Sequence, residues 1–536
     1  MGIFYFLWHG QHEPAGMGPF DVSHVLAAHP DALNTDTSPP WGPTGVPHYW
    51  SEPLFGYYRA GDPWVLRRHA QLLSAAGVDT LIFDTTNRVT YLDVVEQLGK
   101  VFTEVRAAGG TTPQFAFMVN TRAGETAEEL YERIYLPGRF PDLWFQWQGK
   151  PLLICDPAEA SEPVRRFFTL RKAHWPFEMK NTPYAWHWEA TYPQPYGYTD
   201  DAEIPEQVNV SVAQNLRASD GKVTNMSNLD ARGRSFHDGA MDAQADAIDR
   251  GTNFAEQWQR AHQLQPPVVM VTGWNEWIAG RQPSPGRATF VDQFDRQFSR
   301  DIEMMKGGHR DNYYYQLVDG IRRYKGAPDL PLASAATTID INAGVEQWKD
   351  ILPEYLDLRG DTAPRDYPGI GALHYSNSSG RNDFVSMKVT RDRQHLYFLA
   401  QTAADITSPD DDAWMLLFID ADDDRDTGWL GYDYVVNRAL VDDGKTTHLE
   451  RLHADGTSEV VAKLPLTVRS DHLQLAIPRA ALGLPNGDER VTVSFKWCDH
   501  VGNPSVAWPF DPMALYTDGD VAPEGRFRFV YRTDQR

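Results

Sequence analysis

The feature that most constrains this chain is a series of apolar, strand-length runs spread over its first 325 or so residues, with helical stretches between them. Seven are clear: 2–8 (GIFYFLW), 78–84 (VDTLIFD), 114–119 (QFAFMV), 151–156 (PLLICD), 184–189 (YAWHWE), 208–214 (VNVSVAQ) and 268–274 (VVMVTGW). The region 234–237 offers a place for an eighth. Apolar residues recur at helical spacing in 64–76, 91–108 and 254–263. A strand that is apolar on both faces needs cover on both faces, which means a parallel sheet flanked by helices. This number of units fits an α/β fold of the (β/α)8 TIM-barrel type. An open nucleotide-binding sheet would carry G-x-G-x-x-G after its first strand, and none follows here.

The texture changes after residue 327. Residues 328–338 are small, polar and Pro-bearing, as a linker is. Beyond them come short alternating runs separated by turn residues, at 384–389, 395–400, 414–419, 472–477 and 491–497, with almost no helical pattern. The expected organisation is a barrel over 1–327, a linker over 328–338 and an all-β sandwich over 339–536.

Composition narrows the function. A net charge of −23 repels phosphate backbones, so nucleic acid is not an expected partner. No run is long enough for a membrane-spanning helix. The two cysteines, Cys155 and Cys498, are too few and too far apart for a disulfide framework or a CxxC site, which leaves open one long-range bridge. GxSxG and GxxxxGK[ST] are both absent, which sets aside serine-hydrolase and nucleotide chemistry. The 17 Trp, 23 Tyr and 25 Phe are a large aromatic inventory; core and sheet packing account for most of it, and aromatic faces also stack on the C–H faces of sugars.

Polar residues at the C-terminal ends of barrel strands converge on one face, where such proteins do chemistry. The sharpest of these is 271–277, VTGWNEW, where Trp274 and Trp277 bracket Asn275 and Glu276. A carboxylate desolvated between indoles has its pKa raised toward a general acid's range, unless an arginine such as Arg281 satisfies it. His187, Trp188 and Glu189 end another run and lead into a Tyr- and Pro-rich loop containing Tyr192. Asp84 ends a third, and Trp8, His9 and His12 follow the first. Glu52 and His237 are expected at the pocket rim. His9, His12 and His48 lack the helical frame of a zinc protease, so no cofactor is expected for catalysis. Paired carboxylates among aromatic platforms are the equipment of glycoside hydrolysis.

The stretch TGWNEWIAG resembles the family 99 and family 71-like glycoside hydrolases, over about 325 residues and loosely. The resemblance implies a TIM barrel and hydrolysis of an O-glycosidic bond. In the endo-α-mannosidase family this segment reads like NEWHEG, with both glutamates catalytic. Only the first carries over, to Glu276; the second falls on Ala279. The second carboxylate is therefore expected from a neighbouring strand end, Glu189 or Asp84. The C-terminal half resembles a family 9 carbohydrate-binding module through 418–429 (FIDADDDRDTGW) and 431–434 (GYDY). There Asp420, Asp422, Asp424 and Asp426 alternate, as ligands of a structural calcium or as a solvated acidic turn.

The resulting expectation is a glycosidase acting on a poly- or oligosaccharide, working outside the cytoplasm as a secreted or periplasmic protein. Two other classes stay open: a glycan-binding protein without activity, and a polysaccharide lyase in which Tyr or His takes a proton beside a uronate carboxylate held by Arg.

Overall fold

The apolar runs of the N-terminal half become barrel staves, because strands buried on both faces find their cover in one another and in an outer ring of helices. The structure, a computed structural model, describes every residue except 13, 15, 410–412, 441–443, 503–507 and 534–536, and only the backbone at 439 and 440. The chain divides into two units: Met1–Arg106, Thr111–Ala327 and Tyr367–Tyr375 form the first, and Ala107–Gly110, Pro328–Asp366 and Ser376–Arg536 the second.

The staves are β1 (Gly2–Tyr5), β2 (Thr80–Thr85), β3 (Gln114–Val119), β4 (Lys150–Ile154), β5 (Thr169–His174), β6 (Ala185–His187), β7 (Gln207–Ser211) and β8 (Val268–Thr272). All pair in parallel, in the order β6-β5-β4-β3-β2-β1-β8-β7. The ring closes between β6 and β7 through a side chain instead of a ladder. The amide of Gln207 accepts from the backbone N–H of His187 at 2.8 Å and donates to the His187 carbonyl at 2.9 Å, standing in for a strand's own pair of bonds.

Helices α1 (Pro63–Ala76), α2 (Leu92–Ala107), α3 (Ala123–Leu130) and α4 (Glu162–Phe167) follow β1 to β4, while α5 (Thr252–Leu264) and α6 (Asn312–Lys325) follow β7 and β8. Helix α1 shows how locally these are specified. Asp62 accepts from the N–H groups of Trp64 and Val65, Pro63 takes the first helical position, and Gly77 ends the helix at a left-handed φ of 89°. β5 and β6 are followed by loops.

The missing eighth stave is β5 and not 234–237. β5 reads TLRKAH because Arg171 is buried against Glu206 at 2.7 Å, while Lys172 faces Asp156 and Glu178. Residues Phe236–His237 form a short hairpin with Ala240–Met241, and the preceding Arg234 is buried with its guanidinium 4.4 Å from the centre of the Tyr313 ring.

The second unit is an all-β sandwich. Its strands are β9 (Glu354–Leu356), β10 (Phe384–Arg391), β11 (His395–Thr402), β12 (Leu416–Asp420), β13 (Tyr434–Leu440), β14 (Thr446–Leu452), β15 (Ser458–Arg469), β16 (His472–Pro478), β17 (Thr492–Asp499), β18 (Asp520–Ala522) and β19 (Phe529–Arg532). One layer runs β9-β10-β11-β16-β15 and the other β15-β14-β13-β12-β17-β18, with β19 also on β17. β15 serves both, pairing with β14 along its first part and with β16 along its last. Met387, Phe398, Leu417, Leu475, Phe495 and Trp497 fill the space between the layers. Cys155 and Cys498 are buried free thiols. Among the described residues no helix is long and apolar enough to cross a membrane.

Replacing Gln207 with Leu leaves two buried backbone groups of His187 without partners, at about 1–3 kcal/mol each. Urea unfolding of Gln207→Leu is expected to show that loss, and an unchanged midpoint would mean that the β6–β7 closure does not need the amide.

Candidate active site

Beyond β8 the chain turns at Gly273, whose φ is +99° and where a Cβ would come within 2.6 Å of the Arg300 carbonyl oxygen. Only glycine allows both the turn and that close approach. The next side chains then point in alternate directions. Trp274 packs inward on His69 and Tyr314, with ring centres 5.5 and 6.3 Å away. Asn275 binds the end of β1, accepting from Phe6 N–H at 2.9 Å and donating to the Phe6 carbonyl at 3.2 Å. Trp277 stacks on Trp50 at 4.6 Å and donates to Glu303. Glu276 faces a cavity of about 380 Å³ at the C-terminal ends of the staves.

That cavity is lined by Phe4, Phe6, Trp8, Asp84, Thr86, Asn87, Trp175, Pro176, Phe177, Trp188, Asn215, Val223, Glu276, Asp292 and Arg300. Arg300, 1% exposed, joins two buried carboxylates, Glu189 at 3.2 Å and Glu276 at 2.8 Å, and reaches the half-exposed Asp292 at 3.9 Å. Its guanidinium lies 4.7 Å from the centre of the Trp188 ring. Gln293 donates to Glu276 at 2.6 Å and accepts from the Arg300 N–H at 2.9 Å. The N–H of Asn215 donates to Glu189 at 3.0 Å. Behind them, Asp301 accepts from the backbone N–H of Glu276 and from the Trp50 indole.

Burial pushes Glu276 up to about 8, against the pull of Arg300 and with the negative charges of Asp292 and Asp301 adding to the rise. Burial likewise raises Glu189 to about 7, opposed by Arg300 and the Asn215 N–H. Burial alone would lower Arg300, yet Glu276 and Glu189 hold it above its ordinary value. A buried trio of two carboxyls and one guanidinium reaches neutrality only with one proton retained, and that proton belongs to the coupled pair. Asp84 is also raised by burial, although Thr86 donates to it from both N–H (3.0 Å) and hydroxyl (2.7 Å).

Of the residues singled out in the sequence, Trp8, Asp84, Trp188 and Glu276 line this cavity, and Glu189 sits fully buried behind Arg300. The others lie elsewhere. His9 packs between Tyr49 and Tyr58, where burial lowers it to about 3. His187 bonds Asn181 and lies 4.2 Å from the His174 ring, lowered to about 3 by burial. His12 bonds the Trp8 carbonyl in an exposed loop. Glu52 pairs with Lys306, His237 with Asp238 and Asp242, and Tyr192 is outside the lining. Arg281 donates to the carbonyls of Asp36 and Gly42, so the arginine beside Glu276 is Arg300 instead. In the second unit Asp420 and Asp422 converge with Asp433, and Asp420 is held by Arg528 at 2.6 Å. Asp424, by contrast, accepts from the N–H of Asp426, and neither belongs to that group.

Sequence reasoning missed Arg300, Gln293 and Asp292, all within 292–303 (DQFDRQFSRDIE), a segment without helix or strand. The available signal was a dense run of both charges, interleaved with Phe, about twenty residues beyond the last stave.

These features define a (β/α)8-barrel protein with a carboxylate-bearing, aromatic-walled cavity at the C-terminal ends of the barrel strands. No protein-family model and no curated protein matches the chain. Among solved structures it is similar to the GH99 endo-α-mannosidase from Bacteroides thetaiotaomicron. One structure of that enzyme is at 14% identity and TM-score 0.34, and another, in complex with bis-tris-propane, at 12% and 0.33. Each covers 60% of this chain and 97% of the mannosidase chain. Likeness at that level assigns no residue, and the barrel stands on its own strand order.

Arg300→Met removes the cation and leaves two buried carboxyls. At pH 8 this is expected to cost about 3–5 kcal/mol in chemical unfolding. Near pH 5 both carboxyls are protonated and the loss should shrink; an equal loss at both values would contradict the charge account.

Proposed function

We propose that the barrel unit hydrolyses glycosidic bonds of a poly- or oligosaccharide, with Glu276 as general acid and Asp84 as the second carboxylate. The observation that carries this reading is one cavity holding a buried carboxyl, which burial pushes up to about 8, a second carboxylate, and aromatic walls. Trp8, Trp175 and Trp188 offer faces on which a sugar ring stacks. Glu276 gives its proton to the leaving oxygen, while Asp84 acts on the sugar or on a water. Glu189 is a positioning residue: it supplies the negative charge that Arg300 needs, so that the retained proton falls to Glu276. A poly- or oligosaccharide substrate suits a secreted or periplasmic enzyme.

A lyase is less well supported, because the described residues lining the cavity include no Tyr or His to remove a proton. Glycan binding without turnover is the second reading, favoured by the engagement of Glu276 with both Arg300 and Gln293.

The pH dependence follows from the sign of the shift. A carboxyl raised in the folded state keeps its proton and its acid function below about 8 and loses both as pH rises through that value. Turnover is expected to fall along an alkaline limb there, and Glu276→Gln to lose about 10²–10⁴-fold in kcat with its fold intact. Mass spectrometry of products from a broad glycan panel tests this. Fragments carrying one added water that vanish in Glu276→Gln and Asp84→Asn support hydrolysis, unsaturated fragments indicate a lyase, and retained affinity without fragments indicates a binder.

A further inference from the structure

The second unit holds a group of carboxylates that neither the proposed chemistry nor the sequence reading uses. Asp357 follows β9, Asp361 follows a turn at Gly360, and Asp520 opens β18. Gly360 has φ +82°, and the turn is closed by the Asp361 N–H to the Leu358 carbonyl. One carboxylate oxygen from each of the three acids lies within 4.8 Å of one from each of the others.

Asp520 is 2% exposed. One of its oxygens accepts from the Phe384 N–H at 2.6 Å, and the other, Oδ1, is buried without a hydrogen-bond partner. The Oδ2 of Asp357 is buried and unpartnered in the same way. Two further acids act on the group electrostatically: Glu524 on Asp357, and Asp383 on Asp520. Lys496, a basic side chain that acts on Asp357, is itself buried and gives an N–H to the Pro523 carbonyl. Negative charge buried at this density is held by protons or by a cation.

We propose that Asp357, Asp361 and Asp520 bind one calcium ion that fastens the edge of one sandwich layer, β9 and β10, to β18 of the other. Calcium takes oxygen ligands at about 2.3–2.6 Å, so oxygens on opposite sides of one ion stand about 5 Å apart. The observed spacing therefore suits a single ion of that size, and an all-carboxylate donor set suits a hard cation. Asp420, Asp422 and Asp433 form a separate group of acids, in which Asp420 is held by Arg528. This inference is independent of the barrel's chemistry.

The test uses the full chain, stripped with EGTA and titrated with calcium chloride while thermal unfolding is followed. At calcium about 100-fold above its Kd, the responsive transition of the wild type is expected to rise by roughly 5–10 °C. That rise should vanish in Asp520→Asn and Asp357→Asn and persist in Asp422→Asn. Asp357→Asn relieves repulsion in the stripped protein and so should remain folded, which keeps the test decisive if Asp520→Asn does not fold. Elemental analysis before stripping should find calcium in the wild type and less of it in Asp357→Asn. A wild type indifferent to both EGTA and calcium would mean that protons hold the group and would overturn the proposal. So would a response lost in Asp422→Asn but kept in Asp357→Asn.

Discussion

Arg300 between Glu189 and Glu276 is the interaction on which the rest of the cavity end of the barrel depends. A buried ion pair is a weak source of stability, since desolvation offsets most of the attraction. Here a second carboxyl is added to the pair. The trio's single positive charge then leaves one proton on the coupled carboxyls, and of the two only Glu276 meets the cavity, Glu189 being sealed behind the guanidinium. Several otherwise odd residues exist to hold this arrangement. Gly273 makes room for the Arg300 backbone, Gln293 ties Glu276 to the Arg300 N–H, and Asp301 fixes the Glu276 backbone.

The frame around the trio is built to the same end. Glu189 comes from just past β6 and Glu276 from just past β8, so their separation depends on β7 lying between them in register. The Gln207 amide supplies the closure there that no ladder makes. On the other side, Asn275 fixes the end of β8 to that of β1 with two hydrogen bonds to Phe6. Trp274 and Trp277 act as ballast: large, inward-facing rings that leave Glu276 one direction in which to point.

The barrel was legible because seven of its staves are largely apolar runs, and that number fits a closed barrel better than an open doubly wound sheet. β5 was hidden because its buried position is filled by an arginine whose charge is cancelled by Glu206, a residue 35 positions away. The pattern at 234–237 failed for the converse reason: its Phe and His belong to a hairpin. Glu276 was legible as a carboxylate at a strand end among tryptophans, yet the two indoles flanking it pack away from the cavity. The aromatic walls come instead from Trp8, Trp175 and Trp188, which sit in loops. Arg300 was out of reach because it lies in an irregular segment with no period to read, and Arg281, closer in sequence, spends its donors on loop carbonyls.

The retained proton is the central claim, and infrared difference spectroscopy observes it directly. Spectra of the wild type minus Glu276→Gln, recorded across pH 5 to 9, should contain the stretching band of a protonated carboxyl that persists through neutrality and disappears with a midpoint near 8. A difference spectrum without that band at pH 7 would show Glu276 ionised against Arg300, and the account of a proton held ready by the trio would be wrong.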